Sequence, residues 1–223
     1  MKTVGIIGGM SYQSTLHYYQ RINEQVNEKL GGLASAKLLI YNVDFEEIRK
    51  LMIEEKWQSI GNILLEISRK LEQFGVDYIA IATNTIHKVA SFLEENISIP
   101  LIHISDCVAK KCIENNIKKV GVLGTRYTMT EEFVIDRLRR NGLETFTPND
   151  ISDILTIDNI IFYELCKGVI KNSSKKIYIN IINNMIKKYG IEGIIFGCTE
   201  IEMLISEKEL SIPVFDTTKE HIN

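Results

Sequence analysis

Three short apolar runs occur twice in this chain, in the same order. Val4-Gly5-Ile6-Ile7-Gly8-Gly9 returns as Val120-Gly121-Val122-Leu123-Gly124-Thr125, Tyr78 to Thr85 returns as Gly193 to Glu200, and Ile99-Pro100-Leu101-Ile102 returns as Ile212-Pro213-Val214-Phe215. Measured at Gly5, Thr83 and Pro100, the offsets are 116, 115 and 113 residues. One such match would carry little weight, because short β-forming runs resemble one another. Three in order at nearly constant spacing point to an internal duplication. A period this long makes two domains rather than a stack of small repeats. The 223 residues suffice for both, at about 100 residues per domain.

The local pattern gives each half its class. Val4 to Ile7, Leu38 to Tyr41, Tyr78 to Ala82, Val120 to Leu123 and Ile194 to Phe196 are short and continuously apolar, as buried parallel strands are. Helical stretches lie between them. Gln13 to Leu30 stops at Gly31-Gly32. Trp57 to Phe74 carries Ile60, Ile63, Leu64, Ile67, Leu71 and Phe74 on one face and stops at Gly75. Ser173 to Lys188 carries Ile177, Ile181, Ile182, Met185 and Ile186 and stops at Gly190. Alternating strands and helices predict an α/β fold of two similar domains, each a parallel sheet flanked by helices. The halves are expected to be related by a pseudo-twofold with the site between them. The expected boundaries are 1–101 and 102–213, with the tail 214–223 packing back on the first domain.

Composition removes several function classes. The hydrophobic share of 45% and charged share of 25% are ordinary for a globular protein. A net charge of −3 argues against a nucleic-acid partner, which needs a basic stripe. The clusters Lys118-Lys119, Arg137 to Arg140 and Lys187-Lys188 lie beside acids or near helix ends and read as solvated faces. No segment has the apolar length of a membrane span. The N-terminus reads as a strand running into Gly8-Gly9, not as a secretory leader. Cys107, Cys112, Cys166 and Cys198 show no CxxC spacing, so free thiols in a reducing cytoplasm are expected.

Ligands of open α/β sheets bind beyond the carboxyl ends of the strands. Gathered there are Gly8-Gly9-Met10-Ser11, Asn42 to Phe45, Thr83-Asn84-Thr85, Gly124-Thr125-Arg126 and Gly197-Cys198-Thr199-Glu200. This set is rich in hydroxyls and amides, suited to a small polar anion held by backbone N–H groups at helix starts. The first loop lacks GxGxxG spacing and no GxxxxGK[ST] loop exists, which disfavours a nucleotide. Cys107, Cys112 and Cys166 read as small buried hydrophobes within helices. Cys198 differs, because it ends a strand and precedes a helix start, where unpaired N–H groups and the dipole lower a thiol's pKa. The duplication sets Thr83 at the equivalent point of the other half. His87, His103 and His221 are candidate partners for a Cys-His pair, and each alone reads more readily as a packed histidine. Metal binding is not expected, since the region has no ligand spacing.

These residues resemble the cofactor-independent aspartate/glutamate racemases over nearly the whole chain. The resemblance is carried by Gly8-Gly9-Met10-Ser11, Asn84-Thr85-Ile86-His87, Val120 to Thr125, Glu164-Leu165-Cys166-Lys167-Gly168, Gly197-Cys198-Thr199-Glu200 and Pro213-Val214-Phe215-Asp216-Thr217-Thr218. It implies an enzyme without cofactor in which two cysteines flank the amino acid's Cα, one removing a proton and the other returning one. Here the second position is Cys198 and the first is Thr83, and a hydroxyl is a far weaker acid than a thiol. The resemblance therefore implies a subgroup specialised for the L-enantiomer. Ser11, Asn84, Thr85 and Thr199 are expected to hold the α-carboxylate and ammonium, with Met10 and Glu200 also at the substrate. The resemblance brings Lys167 to the distal carboxylate and sets His87 behind Thr83. It also implies a homodimer and a small amino-acid substrate. The family usually continues into a final helix after Thr218, whereas this sequence ends at Asn223. Two other readings compete: a single-cysteine malonate-type decarboxylase of the same superfamily, and an amino-acid-binding protein without turnover.

Overall fold

A computed structural model describes all 223 residues. The chain divides into two compact units, Met1–Ile104 with His221–Asn223, and Ser105–Glu220. The first contains strands β1 (Thr3–Gly8), β2 (Lys37–Asn42), β3 (Tyr78–Ile81) and β4 (Leu101–Ile102). Its helices are α1 (Tyr12–Leu30), α2 (Phe45–Ile53), α3 (Trp57–Gln73) and α4 (Ala90–Glu94), with a 3-10 turn at Thr85–Val89. The second unit opens with α5 (Ile104–Glu114), whose first residue is the boundary, and β5 (Lys119–Gly124), α6 (Arg126–Thr130), α7 (Glu132–Arg140) and β6 (Glu144–Phe146) follow. It continues through α8 (Ile151–Tyr163), a 3-10 turn at Leu165–Lys167, α9 (Asn172–Tyr189), β7 (Gly193–Gly197), α10 (Ile201–Leu204), β8 (Val214–Asp216) and α11 (Thr217–Ile222), whose last two residues belong to the first unit.

Both sheets are parallel and share one topology. The strand order is β2-β1-β3-β4 in the first and β6-β5-β7-β8 in the second. In each, the half's first strand lies between its second and third. The sequence echoes fall on the pairs β1/β5, β3/β7 and β4/β8. The remaining pair, β2/β6, shows no echo. Leu38 to Tyr41 is parallel as expected but is not a buried strand: Ile40 and Tyr41 are exposed.

Caps set the helices. Ser11 Oγ accepts from Ser14 N–H at the start of α1, and Gly31 closes it at φ 73°. Asp44 caps α2 through the N–H of Glu46, and Gly190 ends α9 in the left-handed region at φ 65°. In the second unit the period-2 alternation of β7 sends Ile194 and Phe196 to a core with Ile157, Tyr178 and Ile182. Ile195 points the opposite way, to Val108, Cys112, Leu138 and Phe215. Each such side chain, fully buried, contributes about 1.5–3 kcal/mol. In the first unit Ile6, Tyr18 and Ala82 pack with Ile22, Leu38 and Ile222.

Several expectations need correcting. Ile63, Phe74 and Ile177 lie outside the apolar faces assigned to them and are exposed. Cys112 is buried, but Cys166 is exposed and Cys107 half-buried. Arg137 is no solvated cation: its Nε and Nη2 donate to the two oxygens of Asp106 at 2.8 and 2.6 Å, joining α7 to α5. The tail does not return as a whole to the first unit. Val214–Asp216 pairs with β7 in the second sheet, and His221–Asn223 alone belongs to the first unit.

Candidate active site

In the first unit, the carboxyl ends of β1 and β3 are adjacent, with Ile7 opposite Ile81. The chain leaves β1 through Gly9 at φ 95°, a backbone that favours glycine, and a Cβ there would collide with the Val43 carbonyl. Gly9 N–H donates to Thr15 Oγ1 at 2.8 Å, and Ser14 Oγ donates to the Ala82 carbonyl at 3.1 Å, binding this loop to the end of β3. Met10 is buried in the loop and Ser11 is half-buried as the cap of α1. Thr83 is half-buried directly after β3, and Asn84 and Thr85 are buried beyond it.

His87 is fixed from both sides. Its Nδ1 faces the Thr83 carbonyl at 2.8 Å and so carries the proton, while Nε2 accepts the Ile104 N–H at 3.3 Å. The ring lies 4.6 Å from His103 and 5.8 Å from His221, centre to centre. Burial first, then the two neighbouring imidazoles, push the His87 pKa well down. His221 is likewise neutral: Nε2 donates to the Ile102 carbonyl at 2.8 Å and Nδ1 accepts from Tyr18 Oη at 2.8 Å. Burial lowers its pKa to about 4. Both rings have spent their donors and acceptors, His87 on backbone alone and His221 on the Ile102 carbonyl and the Tyr18 hydroxyl, so neither is placed to act as partner to a nucleophile. His87 orders the main chain at Thr83 instead.

In the second unit β5 and β7 end side by side, Gly124 opposite Gly197. A Cβ on Gly124 would stand 2.9 Å from the Gly197 carbonyl, so this approach requires glycine. Thr125 caps α6, and its hydroxyl lies 3.2 Å from that of Thr128. Cys198 follows β7 and is 8% exposed. Its Sγ donates to Glu200 Oε2 at 3.1 Å, and Thr199 Oγ1 donates to the same oxygen at 2.5 Å. Lys167 is exposed in the 3-10 turn at Leu165–Lys167, with Nζ 5.6 Å from the Tyr163 ring centre.

The charge state of Cys198 departs from expectation. Burial, then the Glu200 carboxylate, then Cys166, raise its pKa well above the ordinary thiol value. The following helix spans only Ile201–Leu204, and its dipole does not offset that desolvation. The resting group is a thiol, not a thiolate. Cys166, though exposed as a residue, has its thiol pushed up to about 12 by desolvation and by Glu200 and Asp158. Two features escaped sequence reasoning. Glu200 serves as the hydrogen-bond acceptor of the thiol, which its position two residues on could have suggested. Cys166 joins the electrostatic neighbourhood of Cys198, and nothing in a linear sequence brings those two together.

The sequence profile of the Asp/Glu/hydantoin racemase family matches residues 7–223, and the chain belongs to that family. Among solved structures, an Asp/Glu racemase-type protein from Yersinia pestis is 43% identical with a TM-score of 0.94, covering 100% of this chain and 96% of that one. PH1733, an aspartate racemase homologue from Pyrococcus horikoshii, is 36% identical with a TM-score of 0.87 over 100% of this chain and 96% of its own. The broad specificity amino-acid racemase RacX of Bacillus subtilis is 23% identical, covering 96% of this chain and 92% of that protein. The duplicated two-sheet α/β architecture is thus that of amino-acid racemases, and the activity class is isomerase.

Proposed function

We propose that this protein is a cofactor-independent racemase interconverting L- and D-aspartate, glutamate or both, of a subgroup in which Thr83 replaces the first cysteine. The observation that carries the reading is the Cys198 thiol paired with Glu200 at 3.1 Å. A base must first lose its own proton, and Glu200 Oε2 is the acceptor within reach. Arrival of the substrate ammonium, a positive charge, draws the thiol pKa back down. Cys198 then removes the Cα proton. The resulting charge spreads onto the α-carboxylate, held by Ser11, Asn84, Thr85 and Thr199, with Met10 shaping the pocket. Lys167 receives the distal carboxylate. Thr83, at the matching strand end of the first unit, with a water behind it and its main chain ordered by His87, returns a proton on the other face.

A preference for the L-enantiomer has a constrained form. L- and D-amino acids in water have equal free energies, so net inversion runs with equal kcat/KM both ways. The asymmetry therefore lies in exchange with retention: Cys198 takes and returns protons on the L-face faster than Thr83 can do so on the D-face. The enzyme acts in the cytoplasm as a homodimer, consistent with its free cysteines. Chiral chromatography after incubation of dialysed protein with each enantiomer of aspartate and glutamate tests the activity. Product without added pyridoxal phosphate or metal is expected, and the absence of any inversion with either amino acid would refute it.

One observation favours a second reading. A protonated Cys198 is already in the state that a malonate-type decarboxylase needs to protonate a carbanion left by loss of CO₂. Release of CO₂ from an arylmalonate, with no turnover of amino acids, would decide for it. Calorimetric binding of aspartate without Cα exchange would instead mark a binding protein.

A further inference from the structure

The residues His221–Asn223 are tied to the first unit one by one. Gln25 Nε2 on α1 donates to Asn223 Oδ1 at 2.6 Å, and Ile222 packs with Tyr18 and with Ala82, the residue before Thr83. His221 is buried, accepts the Tyr18 hydroxyl on Nδ1 and donates to the Ile102 carbonyl from Nε2. An apolar side chain would dock this tail with a smaller desolvation cost. A buried imidazole with both nitrogens bonded adds direction and rigidity, which apolar contact lacks.

Followed onward, these bonds end at Thr83. Two residues past Ile102, the Ile104 N–H donates to His87 Nε2 at 3.3 Å, and His87 Nδ1 donates to the Thr83 carbonyl at 2.8 Å. His103 stands between Ile102 and Ile104 in the chain and sets its ring 4.6 Å from that of His87, edge to face. The His221 ring lies 5.8 Å from His87 at 69°, so it touches the same imidazole directly as well as through the backbone. Tyr18, His87, His103 and His221 are all buried. Each hydrogen bond along this route orients a group that the next one uses.

We propose that His221 is a positioning residue for Thr83. Through the Ile102–Ile104 segment and the His87 ring, it holds the Thr83 main chain so that the hydroxyl keeps its place for proton transfer. The inference rests on the racemase reading, in which Thr83 handles the proton of the D-face. Proton transfer needs hydrogen-bond contact, and a displacement of about 1 Å can cost about 100-fold in rate. Cys198 is held separately, by Glu200, and none of the four rings bonds to it. Loss of His221 therefore acts on one face of the substrate and spares the other.

Deuterium washout at Cα, measured at saturating concentration on each enantiomer with full-length variants, tests this. His221→Ala is expected to slow washout from the D-enantiomer about tenfold, while the L-rate stays within about twofold of wild type. Tyr18→Phe removes one oxygen and is expected to shift the D/L ratio the same way by less. His221→Gln keeps a donor for the Ile102 carbonyl and is expected to restore most of the ratio. A purely structural contribution would lower both rates together. Equal loss from both enantiomers, or an unchanged ratio in His221→Ala, overturns the proposal. If His221→Ala fails to fold, Tyr18→Phe decides by the same ratio. A wild type inert toward both enantiomers sinks the racemase reading and this inference with it, whereas equal losses on a working enzyme sink this inference alone.

Discussion

At Cys198 two effects compete, and the larger one sets the resting state. A helix N-terminus favours a thiolate, but its reach is the first turn and its strength about 0.3–1 kcal/mol at an exposed site. Near-complete burial beside a carboxylate acts in the opposite sense and wins, so the sulfur rests protonated. In the proposed mechanism the carboxylate that accepts this hydrogen bond is part of the proton path. Glu200→Gln keeps the shape and removes the acceptor; kcat is expected to fall about 10²-fold or more, with KM changed little. Steady-state kinetics would separate this from a binding role, in which KM alone rises. The residue identities at the strand ends were legible because glycines, hydroxyls and a cysteine cluster there. The charge state was not, because it depends on burial, which a sequence does not contain.

Asp216 shows the same principle with a consequence for stability. It is 6% exposed, its Oδ1 accepts the Lys219 N–H at 2.7 Å, and its Oδ2 has no partner. Burial first, with Glu202 and Glu220 adding to it, raises its pKa from 3.8 to about 7. The folded protein keeps a proton that the unfolded chain releases, so the stability it contributes is complete below pH 3.8 and lost as pH rises through about 7. At about 1.4 kcal/mol per pKa unit, that amounts to about 4 kcal/mol. Asn at this position keeps the cap and cannot ionise. Thermal melts of Asp216→Asn against wild type should show its advantage growing from pH 5 to pH 8; a pH-independent difference would contradict the protonated state. His87 and His221 act with the opposite sign, losing stability as pH falls below 6.5, and they cancel in that comparison.

At the scale of elements, stop signals were the most readable feature. Gly31 and Gly190 end α1 and α9 where the sequence indicates, because a left-handed cap is a local requirement. Apolar faces were less readable: Phe74 continues the α3 pattern in sequence yet lies past the last turn, 77% exposed. The edge position of β2 was invisible too, since an uncovered strand can carry the same residues as a covered one. The turn after β1 is where local backbone and site meet. Gly9→Ala forces a Cβ onto the Val43 backbone at a φ of 95°, and should cost about 1–3 kcal/mol. Urea denaturation would measure this, and a loss below 0.5 kcal/mol on the usual scatter of surface changes would contradict the strained turn.

For the molecule as a whole, the duplication read from three echoes is present as one strand order drawn twice. What the echoes did not reveal is where the last residues belong. The strand β8 completes the second sheet, as its echo of β4 implies, while His221 reaches Tyr18 and Ile102 in the first unit. That assignment depends on hydrogen bonds between residues 203 and 119 positions apart in sequence. The proposed division of labour assigns the thiol to one half of that duplication and the hydroxyl to the other.

That division is most directly accessible by proton NMR in deuterium oxide, following loss of the Cα signal from L- and D-aspartate and glutamate incubated separately. With wild type, washout from the L-enantiomer should outpace washout from the D-enantiomer, and Cys198→Ala should abolish it. Equal washout from both enantiomers, or exchange that survives removal of the sulfur, would contradict it.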